Sequence, residues 1–501
     1  MGQPRQKIVV IGGGTAGWMT AAAIATALPK DRVQITLIES ESIGIVGVGE
    51  ATLPHLRRFN ENLGIDEAEF MAATSATFKL GIEFRDWRRP GDAYIHPFGD
   101  YGNPVNGVGF HHYWRRLAHE SPLGDISDFS LPIVAGLAGR FAHPASTPDT
   151  LAGTYGYAYQ MDATRYAPFL RRLAESRGVV RHEGRVVSVD QAPESGDITA
   201  VTMEDGQRHA GDFFIDCSGF FGLLIEKTLG AGYEDWRHWL PCDRAVAVPT
   251  TRAETARPYT QASAKTAGWQ WRIPLQHRDG NGYVFCSEFL STDGATAALQ
   301  ETLAGDPLAE VRELRFTTGM RKRQWHHNCV AIGLAGGFLE PLESTSIYLI
   351  QAAIEHLITR FPLDGDYAPE RDDFNKTMQQ EFERVRDFLI LHYVATERTD
   401  SAFWRHIQSV QIPDSLAERI ALFRERGVFD EYQQGLFLTP SWLAVFLGQG
   451  ILPMSYDPRV DQIEEAVLRQ RLLELRRRVA DHAGTMQVHN DYLADYCPAN
   501  L

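Results

Sequence analysis

Residues Lys7–Gly17 read KIVVIGGGTAG, and the fold follows from what this stretch can be. Ile8 to Ile11 is a short, apolar, β-branched run, too brief for a helix and suited to a buried parallel strand. Gly12, Gly14 and Gly17 then carry the spacing of a dinucleotide-binding turn. Gly12 permits the tight bend, Gly14 lets backbone approach a pyrophosphate, and Gly17 lets the next helix pack on the strand. That helix is Ala-rich over Met19–Leu28, and its N-terminal N–H groups and dipole would hold the diphosphate. A second strand, Val33–Ile38, ends in Glu39, twenty-two residues past Gly17, where a carboxylate can take both ribose hydroxyls. A GxGxxG alone says little. Strand, glycines, helix, strand and acid in this order predict an adenine dinucleotide, whereas an ordinary Gly-rich turn leaves Glu39 without a purpose.

The 501 residues leave room for two or three domains, and 44% hydrophobic with 23% charged residues describes a soluble globular protein. A net charge of −15 argues against nucleic acid or an anionic membrane as partner. Five cysteines lie far apart, with no CxxC pair and no zinc-like His spacing, so a reducing cytoplasm and no metal are expected. No run approaches eighteen apolar residues, and the glycine cluster interrupts the N-terminal apolar stretch where a signal peptide needs continuity.

Beyond Glu39, residues 43–54 read IGIVGVGEATLP. Its glycines, followed by Ala-Thr and Pro54, fit backbone pressed against a ligand as well as a plain connector. Ala76–Arg85 alternates, with Phe78, Leu80, Ile82 and Phe84 on one face and Lys79, Gly81, Glu83 and Arg85 on the other. That predicts a half-buried strand with Lys79 solvated. Residues 92–160 are rich in Gly, Pro, His and aromatics and read as loop-heavy; adjacent His111 and His112 would point oppositely along a strand and make a poor metal site. Arg165–Ser176 reads as a helix and Arg185–Asp190 as a strand. Ile198–Met203 and Gln207–Asp216 then flank an EDG turn, a hairpin whose second arm runs into IDCSGF. A nicotinamide dehydrogenase would continue with more βαβ units here. A glutathione-reductase-like flavoprotein returns from such a hairpin, so FAD is favoured over NAD by fold analogy.

Residues 268–274 read GWQWRIP, putting Trp269 and Trp271 on one face of a strand. Cys329–Leu334 is a further strand. After EPLESTS, residues Ile347, Ile350, Ile354, Leu357 and Phe361 recur at helical spacing, so the Ser/Thr cluster is the helix N-cap. Glu343 there is either an acid favoured by the helix dipole or part of a small-anion site at the helix N-terminus. From Ala368 onward helices dominate, over Phe374–Tyr393, Leu416–Arg426, Ser441–Gly448 and Gln462–Ala483. The expected architecture is therefore an α/β, glutathione-reductase-like FAD-binding fold over residues 1–367. A mostly helical, substrate-covering part over residues 368–501 completes it.

The ordered set GGGTAG, GVGEATLP, TFKLGIEF, WQWRIP and EPLESTSIYLI resembles the flavin-dependent tryptophan halogenase family. Trp269, Trp271, Ile273 and Pro274 are its most specific element, since they separate these halogenases from related flavin monooxygenases; the C-terminal helices resemble the family only loosely. The resemblance implies that Lys79 is the catalytic lysine and Glu343 the essential glutamate, reversing the surface reading of Lys79. It implies that Thr345 and Ser346 hold chloride or bromide beside the flavin. Gly12, Gly14, Thr15, Ala16, Gly17, Glu39, Gly49, Ala51, Val186, Leu334 and Ile347 would contact FAD, with GVGEATLP as a strap over it. His96 and Phe98 would sandwich an indole ring, Ser344 and Trp442 would line the substrate site, and Trp269 and Trp271 would keep substrate from the flavin. Reduced FAD, supplied by a separate flavin reductase, and O₂ would convert halide into hypohalous acid, which Lys79 and Glu343 direct onto the ring. A homodimer is the candidate assembly.

Two positions depart from the family. Ser346 stands where the chloride-site threonine is followed by Gly, and its N–H remains available. In tryptophan-specific members a Tyr-Tyr pair and a nearby Glu hold the amino acid's charges; here SWLAVFLGQG puts Trp442 and Leu443 at the Tyr positions, with Gln449 nearby. Indole, or an indole within a larger molecule, suits this better than free tryptophan. The competing readings are an aromatic hydroxylase using flavin and a non-catalytic flavin-binding regulator; the latter would show damage at Lys79 or Glu343, and both are intact.

Overall fold

In the computed structural model, Ile8–Ile11 lie in the buried strand Gln6–Ile11 at the heart of a parallel arrangement. Residues 5–43, 49–118, 123–147, 150–253, 255–362, 367–429 and 435–499 are described. Gln6–Ile11 pairs in parallel with Val33–Glu39 on one side and Phe213–Asp216 on the other. The sheet continues to Val180–Glu183 at one edge and, through Cys329–Ala331, to Trp325–His326 at the other. β-branched residues covered on both faces make this the expected product of the sequence. Helix Thr15–Ala27 starts immediately after Gly14, four residues before the expected Met19, so Gly17 lies within its first turn.

The hairpin forms, Ile198–Met203 against Arg208–Ala210, with Val186–Gln191 as third strand. Its second arm is shorter than expected. The chain breaks at Gly211, where a Cβ would come within 2.8 Å of the Val9 side chain, before Phe213–Asp216 enters the parallel sheet. Asp216 then accepts three backbone N–H groups, from Ser218, Leu224 and Ile225 at 2.7–2.9 Å, and so fixes the turn of the IDCSGF stretch. A buried carboxylate needs such partners.

The chain divides into two compact units, each assembled from three segments. The first takes residues 1–74, 161–243 and 315–383; the second takes 75–160, 244–314 and 384–501. The sequence division at 367/368 followed helix content instead, and helix Ala368–Val394 contributes residues to both units.

The second unit contains a seven-stranded sheet in the order Arg312–Arg315, Arg244–Thr251, Arg278–Phe285, Gly268–Pro274, Thr260–Lys265, Gly81–Arg85, Ala93–Pro97. Here the alternation of residues 76–85 misleads. Two strands form, Thr77–Lys79 and Gly81–Arg85, and both faces are buried. The break is at Leu80, whose N–H donates to Pro258 O at 2.7 Å while its carbonyl accepts Phe98 N–H at 2.8 Å. Polar residues on the second face survive burial because they are bonded: Glu83 accepts from Arg85 and from Gln261.

Residues 92–160 hold more regular structure than their composition suggested, including helices Phe110–Leu117 and Leu131–Leu137. His111 and His112 lie on the first of these, not on a strand, and their ring centroids are 4.1 Å apart. Each spends a ring nitrogen on backbone, His111 Nε2 on Gly427 O and His112 Nδ1 on the Asp457 N–H. The four helices expected near the C-terminus form, with observed bounds Ala368–Val394, Asp414–Arg426, Thr439–Gly448 and Glu465–Thr485, and Ala402–Gln408 and His489–Tyr496 add to them. Among the described residues no helix is long and apolar enough to cross a membrane.

Candidate functional site

In the first unit the glycine loop has the geometry its sequence required. Gly12 has φ +110°, and a Cβ there would lie 2.3 Å from Cys217 O. A Cβ on Gly17 would lie 1.8 Å from Gly12 O, so the helix can approach the strand only through glycine. Gly14, the N-cap of helix Thr15–Ala27, instead faces open space, with no atom within 4 Å of where its Cβ would be and no side chain capping the helix. That opening at a helix N-terminus has the room and the polarity a diphosphate would need.

Glu39 overhangs the loop so closely that a Cβ on Gly13 would collide with its carboxylate. It pairs with Arg181, accepts from Trp18 Nε1 at 3.4 Å, and has Arg171 3.9 Å away. Sequence reasoning missed both arginines. They come from a separate helix and strand and show no spacing relative to Glu39. Leu334 lies half-buried in the turn Gly333–Ala335, and Gly333 sits against Ala16, where a Cβ would come within 2.7 Å of the alanine methyl. Helix Thr345–Thr359, carrying buried Ile347, packs on helix Thr15–Ala27. Val186 packs half-buried against the apolar cluster that includes Ile38 and Val201. Gly49 has φ +93° and precedes Glu50–Ala51; burial raises the Glu50 carboxyl to about 7. Gly47 and Val48, the rest of the expected strap, lie outside the described residues.

Glu343 ends the turn Pro341–Glu343 and is fully buried, as is Glu340. Ser344 follows at φ 61°, ψ 33°, a left-handed conformation that costs a non-glycine residue about 1–3 kcal/mol. Ser344 is the N-cap of Thr345–Thr359, as the Ser/Thr cluster predicted, yet its side chain does not cap. Thr345 is buried, and its Oγ1 has no hydrogen-bond partner among the described residues. Ser346 is half-buried. A strained entry, a cap residue whose side chain makes no cap bond and the orphaned Thr345 hydroxyl together fit a small anion at this helix end.

In the second unit Lys79 has no solvent exposure, and its ammonium lies 5.1 Å from the centroid of Phe98. Strand Thr77–Lys79 pairs with Ala158–Met161, Lys79 opposite Ala158. Beside it Thr77 Oγ1 donates to Pro274 O at 2.7 Å and accepts from Gln160 Nε2 at 3.0 Å. Gln160 Oε1 in turn accepts from Thr260. Phe98 meets His96 edge-to-face, centroids 6.4 Å apart at 71°, rather than as two parallel walls. His96 continues into an aromatic group formed with Phe388 at 5.7 Å and Phe437 at 6.2 Å. Trp442 closes it, 4.9 Å from Phe388, its indole N–H donating to Phe437 O at 3.1 Å. Phe388 and Phe437 were not foreseen: one looked like helix core, and the other stands alone in a loop.

Trp269 and Trp271 lie side by side on Gly268–Pro274, centroids 6.0 Å apart. Trp271 needs Gly282 across the ladder, where a Cβ would sit 2.1 Å from its ring. The Trp271 N–H has no acceptor among the described residues.

A family model described as tryptophan halogenase matches residues 7–465. The tryptophan 6-halogenase SttH of Streptomyces toxytricini is 36% identical over 97% of this chain and 98% of its own. Two solved structures lie nearer. Xcc4156, a flavin-dependent halogenase from Xanthomonas campestris, superposes with TM-score 0.95 at 47% identity, covering 99% of each chain. BrvH, a flavin-dependent halogenase from Brevundimonas sp. BAL3, gives TM-score 0.94 at 45% identity over 99% of this chain and 100% of its own.

Proposed function

Because this chain belongs to the tryptophan halogenase family, we propose that it halogenates an indole-type ring, with reduced FAD delivered by a separate flavin reductase. The nucleotide rests on Gly12, Gly14, Thr15, Ala16 and Gly17, with its ribose on Glu39 and further contacts from Gly49, Ala51, Val186, Leu334 and Ile347. The open face at Gly14 supports this. Bound reduced FAD, with O₂, supplies the oxidation that turns a halide into hypohalous acid. Thr345 and Ser346 hold the halide at the uncapped helix end.

The protein's own groups do the placing. The Lys79 ammonium hydrogen-bonds the hypohalous oxygen and turns the halogen toward the ring, and Glu343 stands ready for the ring proton. As the carbon–halogen bond forms, the oxygen leaves as water with a proton from Lys79, and the ring proton passes to Glu343. Trp269 and Trp271 keep the ring from the flavin; His96, Phe98, Ser344 and Trp442 hold it. The observation that carries this reading is the fully buried Lys79 ammonium against Phe98, in the same unit as the aromatic group around His96. Lysines are rarely buried completely, and one buried beside an aromatic group is a natural place to look for chemistry. The test is an assay with a flavin reductase, NADH, FAD, indole and either halide, read by mass spectrometry for the halogen isotope pattern. Indole recovered unhalogenated, or hydroxylated, with both halides would refute it.

Glu39→Ala should weaken FAD binding roughly 10- to 100-fold, since a charge-assisted bond to the ribose hydroxyls is worth about 1.5–3 kcal/mol. Titration of flavin fluorescence measures this directly. An unchanged Kd would place the nucleotide elsewhere.

A further inference from the structure

The segment that closes the chain, beyond residue 465 where the family match ends, reaches back to the strand of Lys79. Gln487–Val488 adds to Arg140–Phe141 as an antiparallel pair, and the His489 N–H donates to Gly139 O at 2.9 Å. This sets the start of helix His489–Tyr496 and turns the His489 ring inward, where it is fully buried. Its two nitrogens are both used. Nδ1 lies 2.8 Å from Ala256 O and must donate; Nε2, 3.3 Å from the Phe78 N, accepts that residue's N–H. Burial lowers the ring's pKa to about 4, so at neutral pH the single-proton form with this division of labour is the one present.

Phe78 immediately precedes Lys79. On the following side, the Leu80 N–H donates to Pro258 O, and Pro258 lies two residues after Ala256, the residue His489 holds. Asn490 grips Ala256 as well, its Oδ1 accepting the Ala256 N–H at 3.2 Å. The peptide on each side of Lys79 is thereby tied to one short loop, directly at Leu80 and through His489 at Phe78. Gln276 adds a third tie, donating to Ala76 O at 2.7 Å and to Cys497 O at 3.0 Å.

We propose that His489 is a positioning residue for halogen transfer, its Nε2 holding the Phe78 N–H and thereby the backbone from which Lys79 projects. This rests on the assignment of Lys79 as the group that presents the halogen. His489 touches neither halide nor substrate. Its loss therefore lets hypohalous acid form but misdirects it, and the acid escapes instead of reacting with the ring.

Asparagine and glutamine separate the two bonds. Asn at 489 puts an amide near the Nδ1 position and keeps the tie to Ala256 but has nothing to accept the Phe78 N–H; Gln reaches the Nε2 position and keeps that acceptor. Each purified variant is assayed with reductase, FAD, bromide and indole, with a β-diketone added to trap free hypobromous acid. His489→Asn should lower the ratio of bromoindole to trapped bromine about tenfold with their sum unchanged, while His489→Gln stays within about twofold of the parent. Hydrogen exchange of the flavin-free protein, read by mass spectrometry on a peptide spanning residues 76–80, should speed up in the Asn variant only. A purely structural role would make both variants fall together with their melting temperatures and leave the ratio unmoved. That result, or an Asn variant as well coupled as the parent, overturns the proposal. Lys79→Met in the same assay tests the premise: if it still brominates indole, the reading of Lys79 falls, whereas an inactive Lys79→Met beside an unaffected His489→Asn removes only the role of His489.

Discussion

Lys79→Met should lower halogenated product by roughly 10²–10⁴-fold while halide-dependent formation of hypohalous acid continues, as trapped by an added scavenger. Methionine keeps the length of the side chain and removes only the ammonium. Lys79 is fully buried on a strand covered on both faces, with Phe98 under its charge. Removing one buried charge also leaves the groups around it to readjust, so the melting temperature of the variant is measured beside its product. A folded variant that still forms hypohalous acid but loses product is the signature of a group that places the halogen. Loss of both hypohalous acid and product would give Lys79 an earlier role at the flavin; an active variant would remove it from the mechanism.

The same residue shows where sequence patterning runs short. Alternation along Ala76–Arg85 marked Lys79 as solvated, because period 2 reports which residues share a face and says nothing about whether a second layer covers the other face. Only the resemblance of TFKLGIEF to the halogenases contradicted that reading, and the burial of Lys79 agrees with it. The nucleotide loop was legible because its glycines spell out the backbone it needs: Gly12 takes φ +110°, and Gly17 lets the helix pass Gly12 O five residues before it. The arginines at Glu39, the ring of Phe437 and the clamp by His489 were not legible. Each depends on chain segments brought together from more than a hundred positions away. At Ser344 the cap position was right and its chemistry was not; the serine enters the helix in a left-handed conformation and its side chain makes no cap bond. An ordinary cap would have consumed the donors that the halide reading requires.

Indole, or a neutral 3-substituted indole, should be halogenated with a kcat/KM at least about 100-fold above that of free L-tryptophan, a gap of about 2.7 kcal/mol. Tryptophan brings an ammonium and a carboxylate, and burying these without partners costs several kcal/mol, more than ring stacking returns. The residues at the family's clamp positions are already engaged. Trp442 donates to Phe437 O and packs on Phe388, and Leu443 is buried. Gln449, also buried, commits its amide to His392 O at 2.8 Å, leaving one neutral acceptor, Oε1, that no described residue uses. A single amide oxygen can receive one N–H from a ligand but cannot balance a charge pair. With no charged anchor to set the ring's orientation, the position attacked should follow intrinsic reactivity, at C3 when that carbon is open. Indole and L-tryptophan run side by side at equal concentrations decide the matter. A preference for tryptophan with one benzo-ring product would point to Arg419, whose guanidinium lies 4.4 Å from the Trp442 ring centroid, as the group that takes the carboxylate.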